Sequence, residues 1–238
     1  MRRFFSLILI IGFGFYLVTV IGRIPFAATG EAKGSVGVQI VNDTVNDTGA
    51  ANAVTSVVVL YRGFDTLGEV TVLFLAALGM SLLLKGTEEV KARVFDESFI
   101  LKTGSYLLFP FIVLFGLYII VHGHLTPGGG FPGGVVIATA FFIIVMTSEM
   151  VRLRENLVSI LESLAGLTFI ALGIAGLLGT KNSFLANFMG KGVFNTILSA
   201  GIIPFIYAAI GIKVGSELTG AVGSMFLSPF GKQEEAGE

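Results

Sequence analysis

The sequence predicts an all-α integral membrane protein with about six transmembrane helices. Hydrophobic residues make up 54% of the 238 residues, charged residues make up only 13%, and the mean hydropathy is +0.89. A soluble domain typically carries about 25% charged residues. A glycine- and proline-rich segment, residues 122–134, also separates two long apolar runs. No regular helix continues through such a segment, so we expect a break between the third and fourth helices.

The composition narrows the possible functions. A formal net charge of −1 provides no basic surface for nucleic acid, and the absence of cysteine excludes disulfides, iron–sulfur clusters and thiolate zinc sites. Two histidines are too few for an all-protein metal site, which usually needs three or four ligands. No nucleophile–base pair is visible either. We therefore predict a chain that is not an enzyme and binds no cofactor or metal.

The first apolar run, Phe4–Gly22, follows two arginines and contains no charged residue. A signal peptide has the same polarity, but its apolar core is usually only about 7–15 residues long. The nearest small-residue cleavage site, Phe26-Ala27-Ala28, is poor. We interpret the run as a retained transmembrane helix rather than a cleaved signal.

The predicted loop 23–65 contains a short repeat, Val41-Asn-Asp-Thr followed by Val45-Asn-Asp-Thr. Asn42 and Asn46 each begin an Asn-x-Thr triplet, the acceptor pattern for glycosylation. The alternative is two turns initiated by the Asn side chains, and we favour it. Asn52 then opens a short helical approach to the next span.

The second apolar run, Val70–Leu84, is shorter than the roughly twenty residues that cross a bilayer. Its helix must therefore recruit Thr66 and Glu69. A charged linker, residues 86–102, follows and divides a two-helix part, residues 1–85, from a four-helix part, residues 103–217.

The four-helix part contains the remaining predicted spans, and Pro110 lies inside the first of them. The spans are Ser105–Val121, Gly133–Glu149, Val158–Leu178 and Val193–Ile212. Lys213 and Glu217 are expected to close the last span, and residues 218–238 to form a disordered tail.

The distribution of positive charge predicts the orientation. If the N-terminus is cytoplasmic, ten Lys and Arg residues lie in cytoplasmic segments and five in outer segments. Cytoplasmic loops of membrane proteins carry the excess of positive charge. We therefore expect a multi-pass protein with both termini in the cytoplasm and the break on the outer side.

Glu69 is the first candidate for an ion pathway, because a carboxylate within a span is costly and usually faces a pathway or a partner. Asp65 and Arg62 lie in the same stretch. The alternative is structural: Glu69 caps its helix or pairs with Arg62.

The histidines of the break are the next candidates. His122 and His124 would point to nearly opposite faces of a regular helix, so they converge only if the helix has unwound. A proton relay is possible, because an imidazole titrates near neutrality. The equally good alternative is that their rings satisfy bare carbonyl groups at the break. Gly133 and Gly134 are expected to start a helix whose free N–H groups face water or a neighbouring subunit.

Three charged residues could extend the pathway towards the cytoplasm. Glu149 lies near the end of the fourth span, Glu162 in the first turn of the fifth, and Lys213 at the end of the sixth. Charges at helix ends are ordinarily interfacial anchors, which is the competing interpretation.

Two motifs together resemble one family. The segment Gly123-His-Leu-Thr-Pro-Gly-Gly-Gly-Phe-Pro-Gly-Gly134 resembles the signature of the B subunit (MnhB) of Mrp-type multi-subunit sodium/proton antiporters. The segment Arg62-Gly-Phe-Asp-Thr-Leu-Gly-Glu69 resembles the C-terminal part of the A subunit. The motif positions are His124, Pro127, Gly128, Gly129, Gly130, Phe131, Gly133 and Gly134.

This resemblance implies a membrane subunit with no active site of its own, working with other Mrp-type subunits that exchange sodium for protons in a prokaryotic cytoplasmic membrane. It also implies that Glu69 handles ions. Related modules occur beside hydrogenase-like and sulfur-reductase-like redox subunits. Two hypotheses remain: a subunit that contributes to ion translocation, and a structural subunit that packs and seals the module.

Overall fold

The computed structural model describes residues 2–23, 36–85, 98–147, 154–179 and 183–226. Every regular element in these ranges is helical, so the predicted fold class is confirmed. The helices are α1 (Arg2–Arg23), α2 (Val36–Thr48), α3 (Ala53–Ser56), α4 (Gly63–Lys85), α5 (Phe99–His122), α6 (Gly130–Thr147), α7 (Glu155–Leu178) and α8 (Ile203–Phe226). One π-helical turn, Val57–Tyr61, joins α3 to α4.

The chain forms two compact units, residues 1–39 and 40–238. The first unit contains α1 and the start of α2. At 1.5 Å per residue, the 22 residues of α1 extend about 33 Å, enough to cross a bilayer. Its apolar core is Leu9–Val20. The predicted first helix is thus confirmed as a helix, and its crossing of the membrane stays a prediction.

Five helices of the second unit, α4 to α8, are long and apolar enough to span a membrane. They are unequally buried. Within the chain, 56% of the spanning window of α8 is buried, compared with 11% for α4 and 17% each for α5 and α7. Since α8 packs against α4, α5, α6 and α7, it is the central helix of the unit.

The apolar core follows this arrangement. α8 contributes more buried apolar side chains than any other described helix, and small and branched residues recur on several of its faces: Ile203, Ile206, Ala209, Ile210, Val214 and Ala221. A helix that is apolar on most sides belongs in an interior. α4, α5 and α7 are much less buried than α8 and leave wide apolar faces open to lipid or to other chains.

The turn interpretation of the Asn-Asp-Thr repeat is wrong, because residues 36–48 form α2. A four-residue repeat is close to one helical turn, so it places Thr44 and Thr48 on the same face. Both threonines are buried, and their hydroxyl groups donate to the carbonyls of Ile40 and Thr44. The Thr48 and Ser56 hydroxyls are also 2.7 Å apart, which joins α2 to α3.

The second predicted span is confirmed in extent, since α4 starts at Gly63 and includes Thr66 and Glu69. The third span starts earlier than predicted, at Phe99, so residues 99–102 of the expected linker are helical. The remainder of that linker, residues 86–97, lies outside the described residues. The fourth span begins at Gly130 rather than Gly133, and Glu149 lies outside the described part.

The predicted last span, Val193–Ile212, is wrong at both ends: α8 runs from Ile203 to Phe226. The segment before it is irregular, with positive φ at Asn195, Ala200 and Gly201. The Asn187 side chain holds this segment by accepting from the amide of Ile202 at 3.2 Å. Lys213 and Glu217 therefore lie inside the helix, and the start of the predicted tail is helical.

Candidate functional site

The helix break consists of a tight reversal between α5 and α6. The chain leaves α5 after His122, and the amides of Leu125 and Thr126 donate back to the His122 carbonyl at 2.9 Å. Gly129 adopts φ +140°, a conformation that favours glycine, and its amide donates to the Ile119 carbonyl at 3.2 Å. The break therefore satisfies part of its backbone within itself.

Asn52, which lies far from the break in sequence, forms hydrogen bonds with other carbonyls of the break. Its side-chain amide donates to the carbonyls of Gly123 and Thr126, both at 3.0 Å, and its backbone amide donates to the His124 carbonyl at 3.1 Å. Its side-chain oxygen caps α3 by accepting from the amide of Val54 at 3.1 Å. Sequence reasoning recognised Asn52 only as the start of a helical approach, because a partner 71 residues away leaves no local signal.

Two hydroxyl groups extend this set of hydrogen bonds into the bundle. The Thr55 hydroxyl donates to the Gly123 carbonyl at 2.6 Å, and the Tyr207 hydroxyl of α8 donates to the Thr55 oxygen at 3.0 Å. Irregular backbone at membrane depth is tolerated only where protein or water covers it. The contacts of Asn52, Thr55 and Tyr207 provide that cover.

The motif glycines allow close contact between helices. A Cβ on Gly134 would lie 2.8 Å from the Gly211 carbonyl of α8, and a Cβ on Gly133 would lie 2.8 Å from the Gly116 carbonyl of α5. Gly133 also donates its amide to the Gly129 carbonyl at 3.2 Å. The hypothesis that Gly133 and Gly134 offer free N–H groups to water is therefore wrong, since both lie buried inside α6.

The other motif residues lie along the same reversal. Pro127 and Gly128 are exposed, and Phe131 packs against the buried core from the first turn of α6. A Cβ on Gly130 would meet the Tyr207 carbonyl and Ile210 of α8.

The two histidines do not converge. The His122 ring stacks on Tyr118 with centroids 4.2 Å apart, and its Nδ1 is 3.2 Å from the Tyr118 carbonyl. His124 is completely buried, and its Nε2 is 3.2 Å from the carbonyl of Thr196, in the connection between α7 and α8. The carbonyl that His124 contacts therefore lies outside the break, in the connection between α7 and α8.

The surroundings of His124 favour its neutral form. Since a carbonyl accepts but does not donate, Nε2 carries the hydrogen and Nδ1 presents a lone pair, for which no described residue provides a donor. Burial is the main cause that lowers the pKa of His124 below its ordinary value. A relay through the two histidines stays a prediction.

The acidic stretch at the start of α4 is exposed. Arg62 forms an ion pair with Asp65, one turn later, and both side chains are largely solvent-accessible. The proposed pair between Arg62 and Glu69 is therefore not formed. Glu69 is exposed and forms no ion pair with any described residue. It lies in the second turn of α4, so it does not cap that helix.

A second cluster of charges lies inside the bundle, and we call Lys213, Glu162 and Glu217 the charge cluster. The Lys213 ammonium donates to Glu162 Oε1 of α7 at 2.9 Å and lies 3.2 Å from Glu217 Oε2, one turn further along α8. Lys213 also lies 4.8 Å from the centre of the Phe74 ring of α4. Three helices therefore meet at this ammonium group.

Lys213 lies near the middle of α8. Lys213 is ten residues after the start of α8 and thirteen before its end, so it is about 15 Å from one end and about 20 Å from the other. Glu162 is seven residues after the start of α7, well beyond its first turn. The interpretation of Lys213 and Glu162 as helix-end anchors followed from the misplaced boundaries of α7 and α8, and the structure corrects it.

The charge cluster is unusual for an interior. A lysine at the centre of a span costs roughly 2.5–3.5 kcal/mol on insertion scales, and buried ionisable groups in membranes generally mark ion or proton routes. An ion pair and an aromatic face offset part of this cost. The arrangement can hold, exchange or pass a proton between an amine and two carboxylates.

Family models match both parts of the chain. Residues 100–220 match the model described as a domain related to the MnhB subunit of Na+/H+ antiporter, and residues 1–93 match the model of MbhE, a subunit of MBH. An uncharacterized protein of Methanocaldococcus jannaschii is 32% identical, with 71% of this chain and 75% of the relative aligned. The chain belongs to the MnhB-related family. The resemblance inferred from the motif is confirmed.

Other MnhB relatives cover less of the chain. A protein of Staphylococcus aureus strain Newman, named as antiporter subunit mnhB2, is 28% identical over 111 residues, which are 47% of this chain and 74% of the relative. The break and the charge cluster both lie within the region that the MnhB-related family model matches.

Solved structures extend the similarity to nearly the whole chain. A chain in the structure of the membrane-bound sulfane sulfur reductase, an archaeal respiratory membrane complex, is 41% identical with a TM-score of 0.75, covering 94% of this chain and 98% of that one. A chain of the Mrp complex from Dietzia sp. DQ12-45-1b is 23% identical with a TM-score of 0.68. Only 26% of that longer chain is covered, and this likeness shows the fold alone.

Proposed function

We propose that this MnhB-related chain is a transport subunit that contributes to ion translocation within a multi-subunit membrane complex. The observation that carries the proposal is the charge cluster, which places an ammonium and two carboxylates among α4, α7 and α8, with Lys213 near the middle of α8. Apolar side chains would pack these helices at lower cost, because replacing buried ion pairs by hydrophobic residues is often neutral or stabilising. A role in ion movement would explain why charged side chains occupy these positions, whereas packing alone would not.

We further propose that the exchanged ions are sodium and protons. The description of the matching family names Na+/H+ antiporters, which supports this assignment. Within the chain, a buried carboxylate and an ammonium suit proton transfer, whereas sodium requires several oxygen ligands at one point. Among the described residues no group of three or more His, Asp or Glu side chains forms such a set. The proposal therefore assigns proton handling to this chain and sodium coordination to an interface with other subunits.

Glu69 is proposed to belong to that interface, with Asp65 and Arg62 at its edge. The support is its position on an exposed face of α4, a helix of which only 11% of the spanning window is buried. A carboxylate near the end of a span is more stable beside another protein surface or water than beside acyl chains. A neighbouring subunit that covers this face would complete the pathway.

The parent complex is proposed to be a redox-driven respiratory machine. The similarity to a chain of the sulfane sulfur reductase over nearly the whole length of both chains supports this proposal. Purifying the native complex and identifying its subunits tests it. Flavin- or nickel–iron-bearing subunits are expected, and a complex of antiporter subunits alone would show a free antiporter instead.

The proposed location is the prokaryotic cytoplasmic membrane, with both termini in the cytoplasm. The excess of Lys and Arg in the segments that would then be cytoplasmic supports this orientation. Because the chain has no cysteine, single cysteines placed near residue 2, residue 43 or the C-terminus report sidedness cleanly. A membrane-impermeant maleimide should label only residue 43 from outside, and labelling of either terminus would reverse the proposed orientation.

A structural role is the second candidate, and the sealed break favours it. Asn52, Thr55 and Tyr207 close the break with hydrogen bonds that leave little backbone free for an ion. In this hypothesis the chain packs against conducting neighbours and excludes water from their interfaces.

Transport by the assembled complex separates the two candidates. We expect Lys213→Met, Glu162→Gln and Glu69→Gln each to reduce ion-coupled transport in proteoliposomes at least tenfold while the complex still assembles. Lys102→Met, at the exposed start of α5, is the matched control and should transport normally. Normal transport by all three variants, or loss of assembly in place of loss of transport, would favour the structural role.

A further inference from the structure

Glu217 is the least compensated member of the charge cluster. Glu217 is only 2% exposed, and neither of its carboxylate oxygens receives a hydrogen bond from the described residues. Lys213 lies 3.2 Å from Glu217 Oε2, which is ion-pair distance, but its hydrogen bond goes to Glu162 at 2.9 Å. One ammonium group therefore serves two carboxylates, and Glu217 has the poorer geometry.

The charge cluster has an excess of one negative charge when all three groups are ionised. Among the described residues, no cation other than Lys213 forms an ion pair with either carboxylate of the cluster. α6 contains no charged or titratable groups between Gly130 and Thr147. Those of the other elements lie mostly near their ends or at the break end: Tyr61, Asp65, Glu69, Lys85, Lys102, Tyr106, Tyr118, His122, Glu155 and Tyr207.

An isolated carboxylate in an apolar interior is neutralised by taking up a cation or a proton. A metal cation is disfavoured at Glu217, because the Lys213 ammonium repels it from 3.2 Å and the described residues provide no third acidic or histidine ligand. A proton needs only one carboxylate oxygen, and it leaves the ion pair between Lys213 and Glu162 intact.

We propose that Glu217 is a proton-binding site in the interior of the bundle, and that it alternates with Glu162 as the partner of Lys213. Uptake of one proton turns the Glu217 carboxylate into a carboxylic acid and changes the formal charge of the cluster from −1 to 0. Lys213 then pairs with Glu162 alone. Release of that proton restores the second carboxylate, which competes again for the same ammonium.

This proposal deepens the proposed transport function, on which it rests, by naming the group that carries the proton. It also makes a distinctive prediction about coupling. Removing the charge of Glu162 frees Lys213 to pair fully with Glu217, so Glu217 should hold its proton less tightly. Removing the charge of Lys213 should have the opposite effect.

Infrared difference spectroscopy of the assembled complex in lipid, recorded as a function of pH, tests the proposal. We expect a carboxylic acid C=O band that shifts in heavy water, disappears in Glu217→Gln, titrates at lower pH in Glu162→Gln and at higher pH in Lys213→Met. Ser216→Ala, next to Glu217 in sequence but outside the charge cluster, should keep the band. If Glu217→Gln does not assemble, Glu217→Asp should assemble and move the band to a different frequency.

A band that persists in Glu217→Gln or stays at the same frequency in Glu217→Asp, or the absence of any such band, would overturn the proposal. A titration that moves with sodium concentration would also overturn it, because Glu217 would then bind sodium. Transport by the same samples separates this inference from the proposed function. Loss of transport in Glu162→Gln and Lys213→Met without a Glu217 band refutes only the proton site. The expected band with normal transport in all variants supports the site and refutes the transport role.

Discussion

At the residue scale, the hydrogen bonds of Asn52 hold the helix break together. One side chain caps α3 and donates to two carbonyls of the break, so a single position joins the two-helix part to the four-helix part. The motif glycines have no side chains with which to make such hydrogen bonds. The stability of the break therefore depends on a residue outside the motif.

We expect Asn52→Ala to destabilise the break by about 1–3 kcal/mol, because the carbonyls of Gly123 and Thr126 lose the donor that Asn52 provides and α3 loses its side-chain cap. Hydrogen–deuterium exchange of residues 119–130 in the assembled complex should become faster. Asn42→Ala, on the exposed face of α2, is the control and should leave that exchange unchanged. Equal exchange rates in both variants would show that Asn52 does not stabilise the break.

His124 should make the complex sensitive to acid. Its pKa is lowered in the folded chain, mainly by burial, so the folded state favours the neutral ring. The contribution of His124 to stability is present above the ordinary pKa of about 6.5 and is lost as the pH falls through the lower, folded value. The thermal midpoint of the complex is therefore expected to fall on acidification.

The variant His124→Gln tests this dependence, because its amide can still donate to the Thr196 carbonyl but cannot titrate. We expect a smaller loss of thermal midpoint between about pH 7.5 and about pH 5 than in the natural protein. His122→Gln, which leaves the buried ring in place, should retain the full loss. The same acid sensitivity in His124→Gln would assign the effect to other groups.

At the element scale, α6 lies between α5 and α8 because both contact faces are glycine. Gly133 approaches Gly116 on one side, and Gly134 approaches Gly211 on the other. Small residues allow membrane helices to approach closely, so packing replaces the hydrophobic driving force that lipid does not provide. The motif thus positions α6 beside the central helix rather than binding an ion through its backbone.

We expect Gly134→Ala to destabilise the complex by about 1–3 kcal/mol, because the new Cβ would lie 2.8 Å from the Gly211 carbonyl and 2.9 Å from Val214 Cβ. Gly79→Ala on α4 is the matched control, since no atom lies within 4 Å of its new Cβ and alanine favours a helix. Thermal unfolding of the two variants measures the difference. A Gly134→Ala protein as stable as Gly79→Ala would contradict the packing role.

At the scale of the whole molecule, the two-helix and four-helix parts depend on each other. Val70 of α4 belongs to the same buried core as Ile206 and Val214 of α8. Asn52 and Thr55, in the first part, donate hydrogen bonds to the break in the second part. The family models divide the chain between residues 93 and 100, close to the charged linker. These contacts between the two parts could form even if the chain were cut between them.

We therefore expect residues 1–93 and 94–238, expressed as two separate chains in the same cell, to purify together. The association should weaken in a double variant, Asn52→Ala with Thr55→Val, which removes the hydrogen bonds to the break. Affinity purification through a tag on one half measures it. Failure of the unmodified halves to associate would show that assembly needs the covalent connection between them.

The charged residues show where sequence reasoning succeeded and where it failed. The length of the short second apolar run was enough to predict that Glu69 lies within a helix, because a span needs about twenty residues. Hydropathy alone placed Lys213 and Glu217 outside the last span, since a window that favours apolar residues stops at charges. The interior position became apparent only when α7 brought Glu162 to within 2.9 Å of Lys213.

The sequence by itself determined the membrane class, the break and the family, because composition, proline and glycine act through local backbone and solvation energies. Only the tertiary structure decided that Asn52 seals the break, that glycines pack α6, and that three charges share one interior site. Each of those features joins residues that are distant in the chain. Their free energy comes from contacts made after folding, which a linear pattern does not encode.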